Sequence, residues 1–150
     1  MQFQFQAYHF KTRLNNGISE LWDVVRKKYV VITPEEMVRQ QLIQFLVNEK
    51  EVPLSKIAVE KLIEVNNLKK RFDVLVYNHD FKPLLLAECK APQIKLNHQT
   101  LHQVANYNQT LAVPYLLITN GINIHLAKID VEKKQFAWMN EIPNYERWHG

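Results

Sequence analysis

The segment Pro83-Leu84-Leu85-Leu86-Ala87-Glu88-Cys89-Lys90 is a nearly continuous apolar run that ends in a carboxylate, a thiol and an ammonium group. Such a run predicts a strand that is buried on both faces, as in the centre of a sheet. Charged groups at a buried strand end need ionic partners or a metal ion. The end of this strand is therefore the first place to look for a functional site.

Two further strands are predicted directly upstream. Residues 57–65 alternate in polarity and are rich in β-branched side chains, and residues 71–77 form the next strand. Turns rich in asparagine, at Asn66-Asn67 and Asn78-His79-Asp80, separate the three strands. The three strands are expected to form an antiparallel meander.

Helices are predicted on both sides of the meander. Thr33-Pro34-Glu35-Glu36 begins the first one, with Thr33 as N-cap. The second helix covers residues 97–111, and strands at 114–119 and 123–129 follow it. A strand–helix–strand crossover favours parallel pairing of strands 83–90 and 114–119. The predicted fold is α/β, a mixed β-sheet flanked by helices in the order α-β-β-β-α-β-β.

The predicted domain organisation is simple. The 150 residues, 47% hydrophobic and 23% charged, fit a single domain. Residues 1–32 form an N-terminal extension with a β-hairpin (strands 18–24 and 28–32), residues 33–130 the core, and residues 131–150 a tail that wraps back onto it. No apolar run approaches the roughly 18 residues of a membrane span, and the single cysteine fits a reducing cytoplasm.

The candidate site is formed by Asp73, Glu88 and Lys90. Side chains two residues apart in a strand share a face, and the hairpin from 72 to 90 is expected to bring Asp73 alongside Glu88. Two adjacent carboxylates suit a bound Mg²⁺, with Mn²⁺ as a substitute, and the backbone carbonyl of Cys89 is a further candidate ligand. Lys90 would orient or deprotonate a water, which predicts metal-dependent phosphodiester hydrolysis.

Both helices offer supporting residues. Glu35 is expected on the buried side of the first helix, near the water shell of the metal, with Glu36 pointing away to cap. Gln103 and Tyr107 are four residues apart and share one face of the second helix, which Gln99 extends. The alternatives are a solvated glutamate stabilised by the helix dipole and an ordinary polar helix surface.

The net charge of +4 is concentrated around this site. Residues 66–102 hold six basic and three acidic side chains, whereas residues 35–64 hold four basic and six acidic ones. Four lysines, Lys69, Lys70, Lys82 and Lys95, together with Gln99, are therefore candidate nucleic-acid contacts. The alternative is a solvated basic face.

The combination of motifs resembles a known family, the N-terminal nuclease domain of type I restriction enzyme R subunits in the PD-(D/E)XK superfamily. The resemblance covers roughly residues 18 to 130 and rests on five motifs in order: Thr33-Pro34-Glu35-Glu36-Met37-Val38-Arg39-Gln40, Arg71-Phe72-Asp73, Glu88-Cys89-Lys90-Ala91-Pro92, Gln103-x-x-x-Tyr107 and Thr119-Asn120-Gly121.

The resemblance implies a restriction-endonuclease-like core. It also implies a metal on Asp73 and Glu88, Lys90 as the catalytic lysine, Glu35 as the acidic residue of the first helix, and Gln103 with Tyr107 as the helix motif. DNA is the implied substrate. R subunits carry a helicase motor after this domain and none follows it here, so the resemblance does not extend to motor-driven cleavage or to membership of a restriction system.

Three functional readings follow from the sequence. The first is a nuclease, alone as a homodimer or together with other restriction or repair subunits. The second is a non-catalytic nucleic-acid-binding or assembly module that keeps the nuclease fold. In the third, the site residues form ordinary ion pairs in a structural domain, with Asp73 paired to Arg71 or Lys90 and Glu88 paired to Lys90.

Overall fold

The computed structural model of the chain describes residues 5–65, 67–109 and 111–149, and the side chains of residues 65, 68, 107, 109 and 149 lie outside the described part. Within those ranges, no helix combines the length and apolarity that crossing a membrane requires. The described elements are two helices and nine strands with two short 3-10 turns. In chain order they are β1 (Thr12–Asn15), β2 (Ile18–Asp23), β3 (Lys28–Val31), α1 (Pro34–Asn48), a 3-10 turn (Leu54–Lys56), β4 (Ile57–Val65), β5 (Leu68–Tyr77), β6 (Pro83–Cys89), α2 (His98–Gln109), β7 (Tyr115–Thr119), β8 (Ile124–Asp130), β9 (Gln135–Trp138) and a 3-10 turn (Tyr145–His149).

The first three strands form a small antiparallel sheet in the order β1-β2-β3. Asn16 and Gly17 join β1 to β2 with φ angles of 50° and 80°, which suits the tight two-residue turns of hairpins. The hairpin formed by β2 and β3 confirms the predicted one, whereas β1 was not anticipated. Leu21 and Val30 are buried on the inner face of this sheet.

The remaining strands form a six-stranded mixed sheet in the order β4-β5-β6-β7-β8-β9. The pairs β4–β5 and β5–β6 are antiparallel, which confirms the predicted meander. The pair β6–β7 is parallel, as the crossover through α2 requires, and β7–β8 is antiparallel. β6 and β7 are almost entirely buried, so the apolar run 83–90 is a central strand as predicted.

Each face of the large sheet carries its own hydrophobic core. On one face Leu42 and Leu46 of α1 pack with Val74, Val76 and other residues of the strands. On the other face Leu101 and Ala105 of α2 pack with Leu75, Leu86 and Leu116. Val74, Leu75 and Val76 alternate between the two cores, as the pleat of a sheet dictates. The helices therefore cover opposite faces.

The C-terminal segment closes the core beside α1. Tyr145 and Trp148 are almost fully buried in the core that contains α1. The Tyr145 hydroxyl donates to the carbonyl oxygen of Tyr77 at 2.8 Å. The predicted return of the tail onto the domain is thus confirmed, although β9, an edge strand paired with β8, was not predicted.

Candidate functional site

Asp73 lies at an irregularity in β5. Phe72 and Leu75 both pack in the core of α2, while Val74 packs in the core of α1, so strict alternation is broken between Phe72 and Val74. The β4–β5 register passes from Val59↔Val74 to Lys61↔Phe72 without a pair between. The intervening β4 residue, Glu60, has a φ of 52°. This distortion lets the Asp73 side chain reach the face covered by α1.

On that face the carboxylate of Asp73 is held from two directions. Arg39 Nη2 of α1 donates to Asp73 Oδ1 at 3.0 Å. The backbone N–H of Cys89 donates to Asp73 Oδ2 at 2.7 Å. Arg39 is 6% exposed. Burial alone would lower the pKa of its guanidinium, but the hydrogen bond to Asp73 and the charge of Glu36 raise this pKa above its ordinary value. Both oxygens of Asp73 are thus fixed between helix and sheet.

A buried polar network extends from Arg39 to the small sheet. Arg39 Nη1 donates to Glu36 Oε1 at 2.9 Å, and Arg26 Nη2 donates to the same oxygen at 2.6 Å. Arg26 Nε and Gln40 Nε2 both donate to Asp23 Oδ2, at 2.5 and 3.0 Å. Asp23 is fully buried at the end of β2. Charged hydrogen bonds therefore connect the β2–β3 turn with Asp73 through α1.

Glu35 and Glu36 exchange the positions expected from the sequence. Glu36 is buried, and its backbone N–H donates to Thr33 Oγ1 at 3.0 Å, as an N-cap requires. The Glu35 side chain is 50% exposed and lies 3.9 Å from Arg39. The prediction that Glu35 faces the core and Glu36 points away is wrong. Arg26, in the turn between β2 and β3, reaches α1 and binds Glu36.

Glu88 is held on the opposite face. Lys70 Nζ of β5 forms a close ion pair with Glu88 Oε1, and Asn108 Nδ2 of α2 donates to the same oxygen at 3.3 Å. Lys70 Nζ also donates to Asn108 Oδ1 at 3.2 Å. Asn108 is 2% exposed. Asp73 and Glu88 occupy adjacent strands, but Asp73 binds a residue of α1 and Glu88 a residue of α2. The two carboxylates were expected to converge on one face of the sheet, and in the structure they lie on opposite faces.

Lys90 directly follows β6 and is half-buried. Its backbone N–H donates to the carbonyl oxygen of Thr119 at 2.8 Å, which continues the pairing with β7. Among the described residues, the Lys90 ammonium forms no ion pair; the partner of Glu88 is Lys70. The structural reading in which Lys90 neutralises Glu88 is therefore wrong.

Cys89 lies between Glu88 and Lys90 in the sequence, and its side chain packs in the hydrophobic core. It is 1% exposed and packs on the side of α1. Burial, and then the charge of Asp73, raises the pKa of its thiol well above the ordinary value. Cys89 is therefore a core residue. The backbone group of Cys89 that contacts Asp73 is the N–H, not the carbonyl named as a candidate ligand.

Two of the three residues in the predicted polar stripe of α2 are open to solvent. Gln99 and Gln103 are exposed, and the side chain of Tyr107 lies outside the described residues. The predicted basic contacts Lys69, Lys82 and Lys95 are exposed as well. Lys70 differs from them because it is engaged by Glu88 and Asn108.

The turn after β7 anchors the segment that follows Lys90. Asn120 Nδ2 donates to the carbonyl oxygen of Ile94 at 2.8 Å, and Asn120 Oδ1 accepts from the backbone N–H groups of Ile122 and Asn123. Gly121 has a φ of +87°, and a Cβ built there would lie 3.1 Å from Val38 Cγ2 of α1. The Thr119-Asn120-Gly121 motif therefore fixes the chain beside the site.

The described residues do not form a complete metal site as they stand. Carboxylate oxygens are the ligands that Mg²⁺ prefers, but Asp73 and Glu88 are each neutralised by a basic side chain on a different face. In the described part of the chain, no group of three or more His, Cys, Asp or Glu side chains is placed to hold a metal ion.

Three residues of the site were missed from the sequence, namely Arg39, Lys70 as an ion-pair partner, and Asn108. Arg39 stands in the quoted motif of the first helix, three residues after Glu36, which is a spacing that places both on one helix face. The sequence offered no comparable signal for Asn108. Its contact with Glu88 joins residues 20 positions apart across the sheet and a helix.

The comparison with protein families gives one assignment for this chain. The model of the family described as "Type I restriction enzyme R protein N terminus (HSDR_N)" matches residues 34–143. This range contains both helices, β4 to β9 and the residues around Asp73, Glu88 and Lys90. The chain belongs to this family of restriction enzyme R protein N-terminal domains.

The chain was also compared with solved structures and with curated proteins. Among solved structures, the chain is similar to a fragment assigned to the HsdR subunit of a type I restriction enzyme from Vibrio vulnificus YJ016, with 16% sequence identity and a TM-score of 0.42. The match covers 77% of the present chain and 22% of the other, so the chain corresponds to about a fifth of that structure. The search among curated proteins gives no match.

Proposed function

We propose that this chain is a nuclease domain of the PD-(D/E)XK type that hydrolyses phosphodiester bonds in DNA as part of a restriction system with other subunits. The family assignment over residues 34–143 supports this proposal. The observation that carries it is the state of Lys90. A half-buried ammonium with no carboxylate partner in the described structure is available to stabilise negative charge on a phosphate.

We propose Asp73 and Glu88 as the ligands of Mg²⁺ or Mn²⁺, with the Cys89 carbonyl as a further ligand. Glu35, whose carboxylate is half exposed, would act through water. Asp73 and Glu88 lie next to the β5–β6 pair Val74↔Ala87, but their side chains bind partners on opposite faces of the sheet, so a shared metal would require both carboxylates to turn toward one face. Their present partners, Arg39 and Lys70, are cations that a divalent ion would have to replace.

The test is a metal titration with matched variants. Wild-type protein is incubated with labelled single- and double-stranded DNA and RNA, with and without Mn²⁺, alongside Asp73→Asn, Glu88→Gln and an exposed control, Asp80→Asn. The proposal expects Mn²⁺-dependent cleavage in wild type and control, and none in the two site variants. Cleavage that is unaffected by both site substitutions contradicts it.

A second candidate function is supported by the ion pairs of the two carboxylates. A non-catalytic nucleic-acid-binding or assembly module is favoured by the two saturated carboxylates and by the absence of a three-ligand cluster among the described residues. This reading predicts that the same substrates are bound but not cut at any Mn²⁺ concentration. The lysines Lys69, Lys82 and Lys95 would then serve binding alone.

A further inference from the structure

The outer face of the small sheet carries a cluster of aromatic and basic side chains. Trp22 and Tyr29 are direct partners across β2 and β3, with ring centroids 5.2 Å apart in an edge-to-face arrangement. Their neighbours in sequence, Leu21 and Val30, point inward and are buried. The rings therefore lie on the face opposite the core, well separated in the chain from Asp73, Glu88 and Lys90.

Cations cover both rings. The Arg13 guanidinium lies 3.9 Å above the Tyr29 ring, and Lys11 Nζ lies 5.6 and 5.9 Å from the rings of Trp22 and Tyr29. Arg13 Nε also donates to Glu20 Oε1 at 2.8 Å, which fixes the plane of the guanidinium. The Arg13 side chain is still 48% exposed. About half of this side chain is therefore open to a ligand.

We propose that this aromatic–basic face, formed by Lys11, Arg13, Trp22 and Tyr29, binds single-stranded nucleic acid. Bases stack on aromatic rings and on arginine planes, while nearby cations contact phosphates. The charge is complementary, because outside the paired Asp23 and Arg26 residues 11–31 hold four basic side chains and one acidic one, Glu20, which pairs with Arg13. Duplex bases are already stacked, so the face discriminates in favour of single strands.

The experiment measures the anisotropy of a fluorescein-labelled oligothymidylate in EDTA, where neither metal nor cleavage contributes. The variants are Arg13→Ala, Tyr29→Leu and, as a matched control, Arg147→Ala, which removes another exposed arginine with one glutamate partner. Loss of one stacking contact typically weakens binding about fivefold or more. We expect at least that loss for Arg13→Ala and Tyr29→Leu, and an unchanged Kd for Arg147→Ala.

Several results would overturn the proposal. These are no binding by wild type, equal binding of oligothymidylate and a blunt duplex, or unchanged binding by Arg13→Ala, whose exposed position spares the fold. A triple substitution of Lys69, Lys82 and Lys95 by alanine tests the other basic surface. If this triple variant loses oligothymidylate binding while Arg13→Ala and Tyr29→Leu keep it, the aromatic–basic face does not bind the oligonucleotide. A dimer in sedimentation that Tyr29→Leu dissociates, without any oligonucleotide binding, would assign the face to a second copy of the chain.

Discussion

Arg39 of α1 and Asp73 of β5 lie 3.0 Å apart, Nη2 to Oδ1, and join the first helix to the sheet at the candidate site. Arg39 is almost fully buried, and its Nε is a buried donor without a hydrogen-bond partner in the described structure. The guanidinium donates hydrogen bonds to Asp73 and Glu36, so the role of this buried side chain is to bind these two carboxylates. The position of the Asp73 carboxylate depends on this contact and on the N–H of Cys89.

The first prediction concerns this pair. Arg39→Ala should lower the free energy of unfolding by about 3 kcal/mol, because it leaves Asp73 and Glu36 with one fewer buried cation. Urea denaturation measures the change. Arg147→Ala, at an exposed ion pair, is the control and should change stability by less than about 0.5 kcal/mol. Equal small effects for both substitutions would show that the buried pair does not hold α1 to the sheet.

The second prediction concerns Asp23 and pH. Burial alone would raise the pKa of Asp23, but hydrogen bonds from Arg26, Val25 and Gln40 more than offset it, and the pKa lies below its ordinary value. Between that lowered pKa and the unfolded value of about 3.9, the unfolded chain binds more protons. The contribution of Asp23 is therefore complete above about pH 4 and is lost as pH falls through the folded pKa.

Asp23→Asn tests this dependence. The variant should be less stable than wild type by roughly 2–3 kcal/mol at pH 7, since it loses charged hydrogen bonds in a buried site. The difference should shrink as pH falls below about 4, where wild type also loses the charge. Melting temperatures from pH 2 to 7 measure it, with Asp80→Asn as an exposed control. A difference that is constant with pH would argue against an ionised Asp23 in the network.

The third prediction compares two glycines with positive φ. Gly121→Ala should cost roughly 1–3 kcal/mol more than Gly17→Ala. Both substitutions strain the backbone, but at Gly121 the new methyl also meets Val38, whereas at Gly17 nothing lies within 4 Å. Thermal unfolding of the two variants makes the comparison. A larger loss at Gly17 would mean that the Thr119-Asn120-Gly121 turn does not pack on α1 as described.

Local sequence signals predicted most of the fold. The apolar run at 83–90, the N-cap at Thr33 and the alternation of residues 57–65 each specify one element through period or capping, and the structure has these elements within a few residues. β1 and β9 escaped prediction because each has only four residues; those of β1 are all exposed and those of β9 are exposed or only partly buried. The restriction-endonuclease-like topology as such stays a proposal.

The site was harder to predict because its geometry depends on contacts distant in sequence. The hairpin from 72 to 90 was expected to bring Asp73 alongside Glu88, but the break in alternation at Glu60 and Asp73 has no signature in the chain. Likewise the choice between Glu35 and Glu36 was decided by Arg26, which arrives from the small sheet. The roles of Asp73, Glu88, Lys90, Gln103 and Tyr107 in catalysis, and the Mg²⁺ ion, stay predictions.

The central claim is that Lys90 acts in phosphodiester hydrolysis, and single-turnover cleavage by Lys90→Ala in Mn²⁺ tests it most directly. Removing one positioned electrostatic stabiliser typically costs about 10²–10³ in rate. We expect that loss, with a melting temperature and DNA affinity close to wild type, because the ammonium has no ion-pair partner in the described structure. Lys133→Ala, in the exposed β8–β9 turn, should cleave normally. A Lys90→Ala protein that cleaves at the wild-type rate would contradict the claim.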